Sequence, residues 1–464
     1  MVILFSGFNR PSMHLSDQNK GDSIIPVFRA KDHQASNKIS SNGFITLVTG
    51  LDNNYFIIDS LKRKGYLYIE TSVGRFINDT AMRVPLNISI VIDRSGSMQG
   101  VKMGFAKRAA KSIIEQLQPN DMVSIVIYDN SVDSIQPPVA VIDKELIKSR
   151  INSISPRGST NLWGGTEMGY DFVKRNYKEG YINRVLLISD GIANTGLTDS
   201  NIIRMHVRRF KDEEGITIST FGVGLDYNED LMTEMAETGA GNYYYIDAPE
   251  KLTNLFQEEL AGLLTVAARD AELKINFPEG VTIDKAYPLS YQINGTEMTV
   301  KLRDLFSEET KALLVSFNLP DQLRSGQDFI TQVSYTDVRD GERKTLVNKN
   351  QLDPVHNKDT YYKWYNRSVI EQTILFSSIE NLENAMLLVD RGDLQGASRL
   401  LARNENQLKL YSSYIKTSRE LNRIDSINKN YTADLAGARH SADSLKKLQK
   451  ASKAANYGLR QKKQ

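Results

Sequence analysis

The chain is 464 residues long, 40% hydrophobic and 25% charged, enough to bury sizeable cores and to divide into two to four domains. It has no cysteine, which excludes disulfides, cysteine-ligated zinc, a thiol nucleophile and a lipid-bearing cysteine. No stretch reaches the ~18 apolar residues of a transmembrane helix, and the formal charge of +2 hides an asymmetry between the bulk of the chain and its carboxyl-terminal part.

Residues 1–41 read as a flexible segment. Residues 2–7 are too short for a secretory apolar region and follow no basic stretch, so they fit the remnant of an export signal, with residues 11–41 as its polar spacer. That reading implies a cell-envelope or extracytoplasmic location; without it a cytoplasmic one is implied.

Over residues 42–85 short apolar runs at 44–48, 55–58 and 66–69 are separated by Gly, Asp and Asn. They predict antiparallel strands, the first part of a β-sandwich. From residue 86 to 268 apolar strands alternate with helices, the mark of a doubly wound, mainly parallel sheet with helices on both faces. Strands are predicted at 86–92, 123–127, 185–188 and 216–221, with 243–245 as the last. Helices fall near 144–153, 165–177, 200–214, 229–237 and 249–266. After the first strand, Val101, Phe105, Ala109, Ile113 and Leu117 recur at helical spacing and predict a core-facing stripe. Of the Asn-x-Ser/Thr triplets at Asn78, Asn87, Asn294, Asn366 and Asn430, that at Asn87 lies in a core strand, which argues against glycosylation there.

Alternation returns over residues 269–355, as in Leu273, Ile275 and Phe277. Neither β half has a sufficient core alone, so the two are expected to pair into one sandwich around the inserted α/β domain. Residues 356–424 predict a helical hairpin turning at Gly392-Asp393-Leu394. Residues 425–464 read as a basic frayed helix around Leu445 and Leu448, or as disordered. Residues 411–464 hold 12 basic and 4 acidic side chains, a local +8 that leaves −6 for the rest. Such a tail fits a solvated helical face or a contact with an anionic surface.

The residues that carry chemistry stand at strand ends. Asp93-Arg94-Ser95-Gly96-Ser97-Met98 follows the first strand, and Asp93, Ser95 and Ser97 alternate so that their oxygens can converge. Gly158-Ser159-Thr160-Asn161 offers Thr160, and Ile188-Ser189-Asp190-Gly191 offers Asp190. The carboxyl ends of strands in an open parallel sheet form the binding crevice, and carboxylates with hydroxyls suit a hard cation such as magnesium. Glycines 158, 164 and 165 read as loop geometry, and Trp163 as either a rim anchor or packing under the loop. His14, His33, His206, His356 and His440 are scattered and suggest neither zinc nor a triad. An aspartyl-phosphate phosphatase would need a second Asp where Ser95 stands. No Gly-rich phosphate loop with Lys and Ser/Thr is present, so nucleotide chemistry would belong to a partner.

Asp-x-Ser-x-Ser after a first strand, a Thr in a second loop and an Asp in a third resemble the von Willebrand factor type A family and its metal ion-dependent adhesion site, over about residues 86–250. The resemblance implies that Ser95 and Ser97 coordinate directly, that Thr160 does so in the ligand-bound form, and that Asp93 and Asp190 act mainly through water. Magnesium is the expected ion, with manganese or calcium as substitutes. It implies a protein partner presenting Asp or Glu, with no nucleic acid and no catalysis. With β segments on either side, the layout is similar to bacterial relatives of inter-alpha-trypsin inhibitor heavy chains. A substrate-recruiting subunit of an ATPase-driven assembly or chelatase machine is the alternative, and a metal-dependent phosphatase a weaker one.

Overall fold

The computed structural model describes residues 35–58, 64–75, 83–321, 323, 325–438 and 441–462. The expectations for residues 1–34, the signal remnant and most of the spacer, lie outside them. Residues 38–41, expected in the spacer, instead form most of β1 (Lys38–Asn42), which pairs antiparallel with β2 (Ile45–Leu51). Their polarity hid an edge strand whose only large apolar side chain, Ile39, faces solvent. β3 (Tyr55–Ile57) and β4 (Lys64–Val73) complete the first segment.

The insertion runs β5 (Leu86–Asp93), α1 (Val101–Gln116), β6 (Met122–Tyr128), β7 (Val132–Ala140), α2 (Lys144–Asn152), α3 (Leu162–Arg175), β8 (Ile182–Ser189), α4 (Ser200–Glu214), β9 (Thr217–Val223), α5 (Glu229–Thr238), β10 (Tyr243–Ile246) and α6 (Leu252–Leu263). Its sheet has the order β10-β9-β8-β5-β6-β7, parallel throughout except for β7. β5 is buried along its whole length, as a strand covered on both faces must be. Ile88, Ile90 and Ile92 pack into the core with α1, α2 and α6. Val91 joins Val126, Val185 and Leu187 against α3, α4 and α5.

Two details differ from the sequence reading. β7, a strand the apolar pattern does not reveal, is a half-exposed edge carrying Pro137 and Pro138, a position where missing N–H donors are tolerated. The stripe of α1 is rotated from the predicted one: Val101 is 62% exposed, while Met103, Ala106, Ala110 and Ile114 are buried beside Ala109 and Ile113. Small alanines let the helix sit close to the sheet.

The chain then returns through β11 (Val266–Asn276), β12 (Thr282–Tyr287), β13 (Gln292–Asn294), β14 (Glu297–Phe306), β15 (Thr310–Asn318), β16 (Gln327–Asp337) and β17 (Arg343–Val355). β15 pairs with β4, placing Val315 opposite Leu67, and β17 pairs with β3. Both sheets of the sandwich, β1-β2-β4-β15-β12 and β13-β14-β11-β16-β17-β3, therefore contain strands from either side of the insertion. Leu47, Ile69, Leu273, Val315 and Phe329 share their common core.

The remainder is helical: α7 (Lys358–Lys363), α8 (Arg367–Asp390), α9 (Leu394–Leu410), α10 (Ser412–Ile415), α11 (Arg419–Ala438) and α12 (Ala442–Arg460). α8 lays Val369 and Phe376 on Tyr68 and Leu314 of the sandwich. Among the described residues no helix is long and apolar enough to cross a membrane.

The basic tail at residues 425–464, open in sequence between frayed helix and disorder, is the latter part of α11 followed by α12, and much of the charge of α12 is turned inward. Lys450 Nζ donates to Tyr227 O at 3.1 Å and to Glu229 at 3.2 Å. Lys453 reaches Asp230 at 2.8 Å and Asp390 at 2.7 Å, and Arg460 pairs with Glu237 and Glu383. The acidic face of α5 thus supplies counter-charge from within the chain. Tyr457 Oη accepts the amide of Tyr243 at 3.1 Å, closing the outer edge of β10. Tyr457→Phe leaves that buried N–H without its acceptor and is expected to lower unfolding free energy by about 1–3 kcal/mol in urea titrations.

Candidate metal centre

The three loops named by sequence meet at the carboxyl edge of β5 and β8. Ser95 Oγ and Ser97 Oγ stand 3.0 Å apart, and Ser97 donates to Asp190 Oδ1 at 2.8 Å. Asp93 Oδ1 accepts the amide of Ser95 at 2.8 Å, and its Oδ2 accepts the hydroxyl of Ser189 at 2.8 Å. Thr160 stands next to them: a Cβ added at Gly191 would lie 2.8 Å from Thr160 Oγ1 and 3.6 Å from Asp93 Oδ2. Glycine at 191 keeps that space open. Asp93, Ser95, Thr160 and Asp190 are buried while Ser97 is exposed, so the group opens to solvent on the Ser97 side.

Backbone bonds hold the loops in register. Gly96 N donates to Gly158 O at 3.1 Å, and Arg157 N donates to Arg94 O at 2.7 Å. Gly158 adopts φ 73°, the left-handed region that glycine enters without strain. Asn194 Oδ1 accepts the amide of Thr160 at 2.9 Å, tying the second loop to the third. Asp129 adds a charged brace, since Arg94 Nε lies 2.8 Å and Arg157 Nε 2.9 Å from its Oδ2. Burial raises the Asp129 carboxyl, but hydrogen bonds from Ser131 and Arg157 and the charge of Arg94 outweigh it and bring it down to about 2. Trp163 is buried and stacks on His206 with ring centroids 5.2 Å apart, so it packs beneath the loop and is not a rim anchor.

Sequence reasoning missed Ser189, Asn194, Asp129 and Lys102. Ser189 directly precedes Asp190 in the third loop and ends β8, but nothing in the sequence announces its hydrogen bond to Asp93. Lys102 Nζ lies 2.5 Å from Asp190 Oδ2, a contact that requires the start of α1 to fold back over the third loop.

The donor set suits a small divalent ion. Among the described residues no three His, Asp or Glu side chains gather as a metal-ligating group, so this edge offers hydroxyls backed by two carboxylates. Adjacent corners of a magnesium octahedron with 2.0–2.1 Å bonds are about 2.9 Å apart, close to the 3.0 Å between Ser95 Oγ and Ser97 Oγ. Burial pushes the Asp93 carboxyl up to about 6, so a proton there would compete with a cation bound at this edge. Apparent ion affinity is expected to fall by up to about tenfold per pH unit below that value, measurable by calorimetry across pH. Because the folded chain holds this proton more tightly than the unfolded one, Asp93 makes the ion-free protein less stable as pH rises from 3.8 to about 6.

Residues 87–258 match the family model of the von Willebrand factor type A domain. The chain is 34% identical over 199 residues to the uncharacterized protein YfbK of Escherichia coli (strain K12), covering 42% of this chain and 34% of that protein. It is 26% identical over 275 residues to inter-alpha-trypsin inhibitor heavy chain H4 of Bos taurus, covering 55% of this chain and 29% of that one. The chain thus spans about a third of the length of these two relatives. A structure of von Willebrand factor type A from Catenulispora acidiphila superposes with a TM-score of 0.69 at 15% identity, covering 90% of this chain and 98% of that one. The fold therefore extends beyond the matched domain. The inserted α/β unit is a von Willebrand factor type A domain.

Proposed function

We propose that the chain is a metal-dependent protein-binding module, for adhesion or scaffolding, that engages an Asp or Glu of a partner through a magnesium ion held by Ser95, Ser97 and Thr160, with Asp93 and Asp190 behind them. The observation that carries this reading is the convergence of three hydroxyls and two carboxylates at one edge, open to solvent on one side. A divalent ion there would supply a coordination corner that its hydroxyl ligands do not neutralise and that a carboxylate can fill. Ser95 stands where a phosphatase would keep its acid-base carboxylate, which sets the catalytic reading aside. The sandwich and helices serve as scaffold.

The test is affinity capture of partners in magnesium and in chelator, with the same chain as bait. Proteins retained in magnesium are expected to elute on chelation. Retention that chelation leaves unchanged would show a binding surface elsewhere and overturn the metal-dependent function.

A further inference from the structure

Lys102 is not required by the metal-centre reading, yet its ammonium lies inside the group. Nζ contacts Asp190 Oδ2 at 2.5 Å, while the other oxygen of the same carboxylate takes the Ser97 hydroxyl at 2.8 Å. Lys102 is the second residue of α1, and its side chain is 26% exposed. Its Cε and Nζ lie 3.4 Å from where a Cβ on Gly224 would stand, so the side chain runs in van der Waals contact with the turn just after β9. The side chain is placed, not trailing in solvent.

Charge balance gives this contact a role. Asp93 and Asp190 contribute two negative charges and Lys102 one positive, so the group is at −1 without an ion and at +1 with a divalent one. Without Lys102 the two aspartates would neutralise the ion completely. We propose that Lys102 sets the charge of this centre so that a bound ion leaves one positive charge in excess, which one external carboxylate satisfies; Lys102 is thereby the residue that couples ion binding to acid binding. This rests on the proposed function. It predicts opposite effects on two affinities, which a purely structural lysine would not produce.

The experiment titrates Mn2+ into the full chain by electron paramagnetic resonance, alone and with acetate as a monocarboxylate probe, at a pH where both aspartates are ionised. In the wild type, acetate should tighten the apparent Mn2+ affinity, as linkage between two ligands requires. Lys102→Met should bind Mn2+ alone about tenfold more tightly, the size expected when a unit charge a few ångströms from the ion is removed, and should lose the acetate effect. Lys102→Arg keeps the charge and should keep the coupling, and thermal unfolding of both variants checks that they fold. A Lys102→Met chain that binds Mn2+ no tighter, or that responds to acetate as the wild type does, overturns the inference while leaving the metal centre intact. Absence of Mn2+ binding in every chain, wild type included, defeats the metal-centre reading and this inference with it.

Discussion

Asp93→Ala is expected to reduce magnesium affinity at least about a hundredfold, the upper range for residues that orient a metal's ligands, in calorimetric titrations of the full chain. Three losses coincide. The substitution removes one of the two negative charges at the centre, frees the Ser95 amide that Asp93 Oδ1 accepts at 2.8 Å, and frees the Ser189 hydroxyl on Oδ2. The loop that aims Ser95 and Ser97 then has no anchor at its base. In the ion-free variant, relief of the burial-disfavoured Asp93 carboxylate opposes the cost of leaving the buried Ser95 amide and Ser189 hydroxyl without their acceptor, so its unfolding midpoint tests folding separately from affinity. Asp93→Asn, which can still accept from Ser95, should fall between the two. Wild-type affinity in Asp93→Ala would remove Asp93 from the centre.

The largest stability effect is expected at the opposite end of the same sheet. Arg184 on β8 and Glu259 on α6 are 1% and 2% exposed and joined at 2.6 Å. Glu259 also accepts from Ser219 at 2.5 Å, and from Asn242 and Tyr244 at 2.8 Å each. Burial alone would raise the Glu259 carboxyl, but the Arg184 charge and these hydrogen bonds hold it below its ordinary value. Glu259→Ala strands a buried guanidinium, at a cost of about 3–5 kcal/mol, read as a shift in the guanidinium chloride midpoint. Replacing both residues with methionine should recover much of that loss, since the desolvation penalty disappears with the pair. Neither change should alter magnesium affinity of the folded protein, because Arg184 lies near the start of β8 and the metal loops come after its end.

The parallel sheet was legible because residues 86–92 and 185–188 are buried on both faces and so are mostly apolar, with only Asn87 and Ser89 interrupting the first run. The three loops that meet at this edge were legible because Asp93, Ser95, Ser97 and Asp190 stand at or just after strand ends, and Thr160 in the loop before α3. What escaped the sequence depends on the tertiary arrangement. β7 is a half-exposed edge strand with two prolines and no apolar run to announce it. The face of α1 is set by how closely alanine lets it approach the sheet, which a spacing rule does not encode. The tail's charge looked available to external anions, and only the packing of α12 on α5 shows Lys450, Lys453 and Arg460 already matched by Glu229, Asp230 and Glu237. Lys102 sits nine residues past Asp93 and 88 before Asp190, and nothing in that spacing announces their contact.

The most direct measurement is an anomalous difference map from crystals of the chain soaked in Mn2+. One peak is expected within about 2.2 Å of the Ser95 and Ser97 hydroxyl oxygens, slightly beyond a magnesium bond, with Asp93 and Asp190 within reach of its waters. A map with no peak at that edge, or with its strongest peak on another acidic patch, would contradict the account.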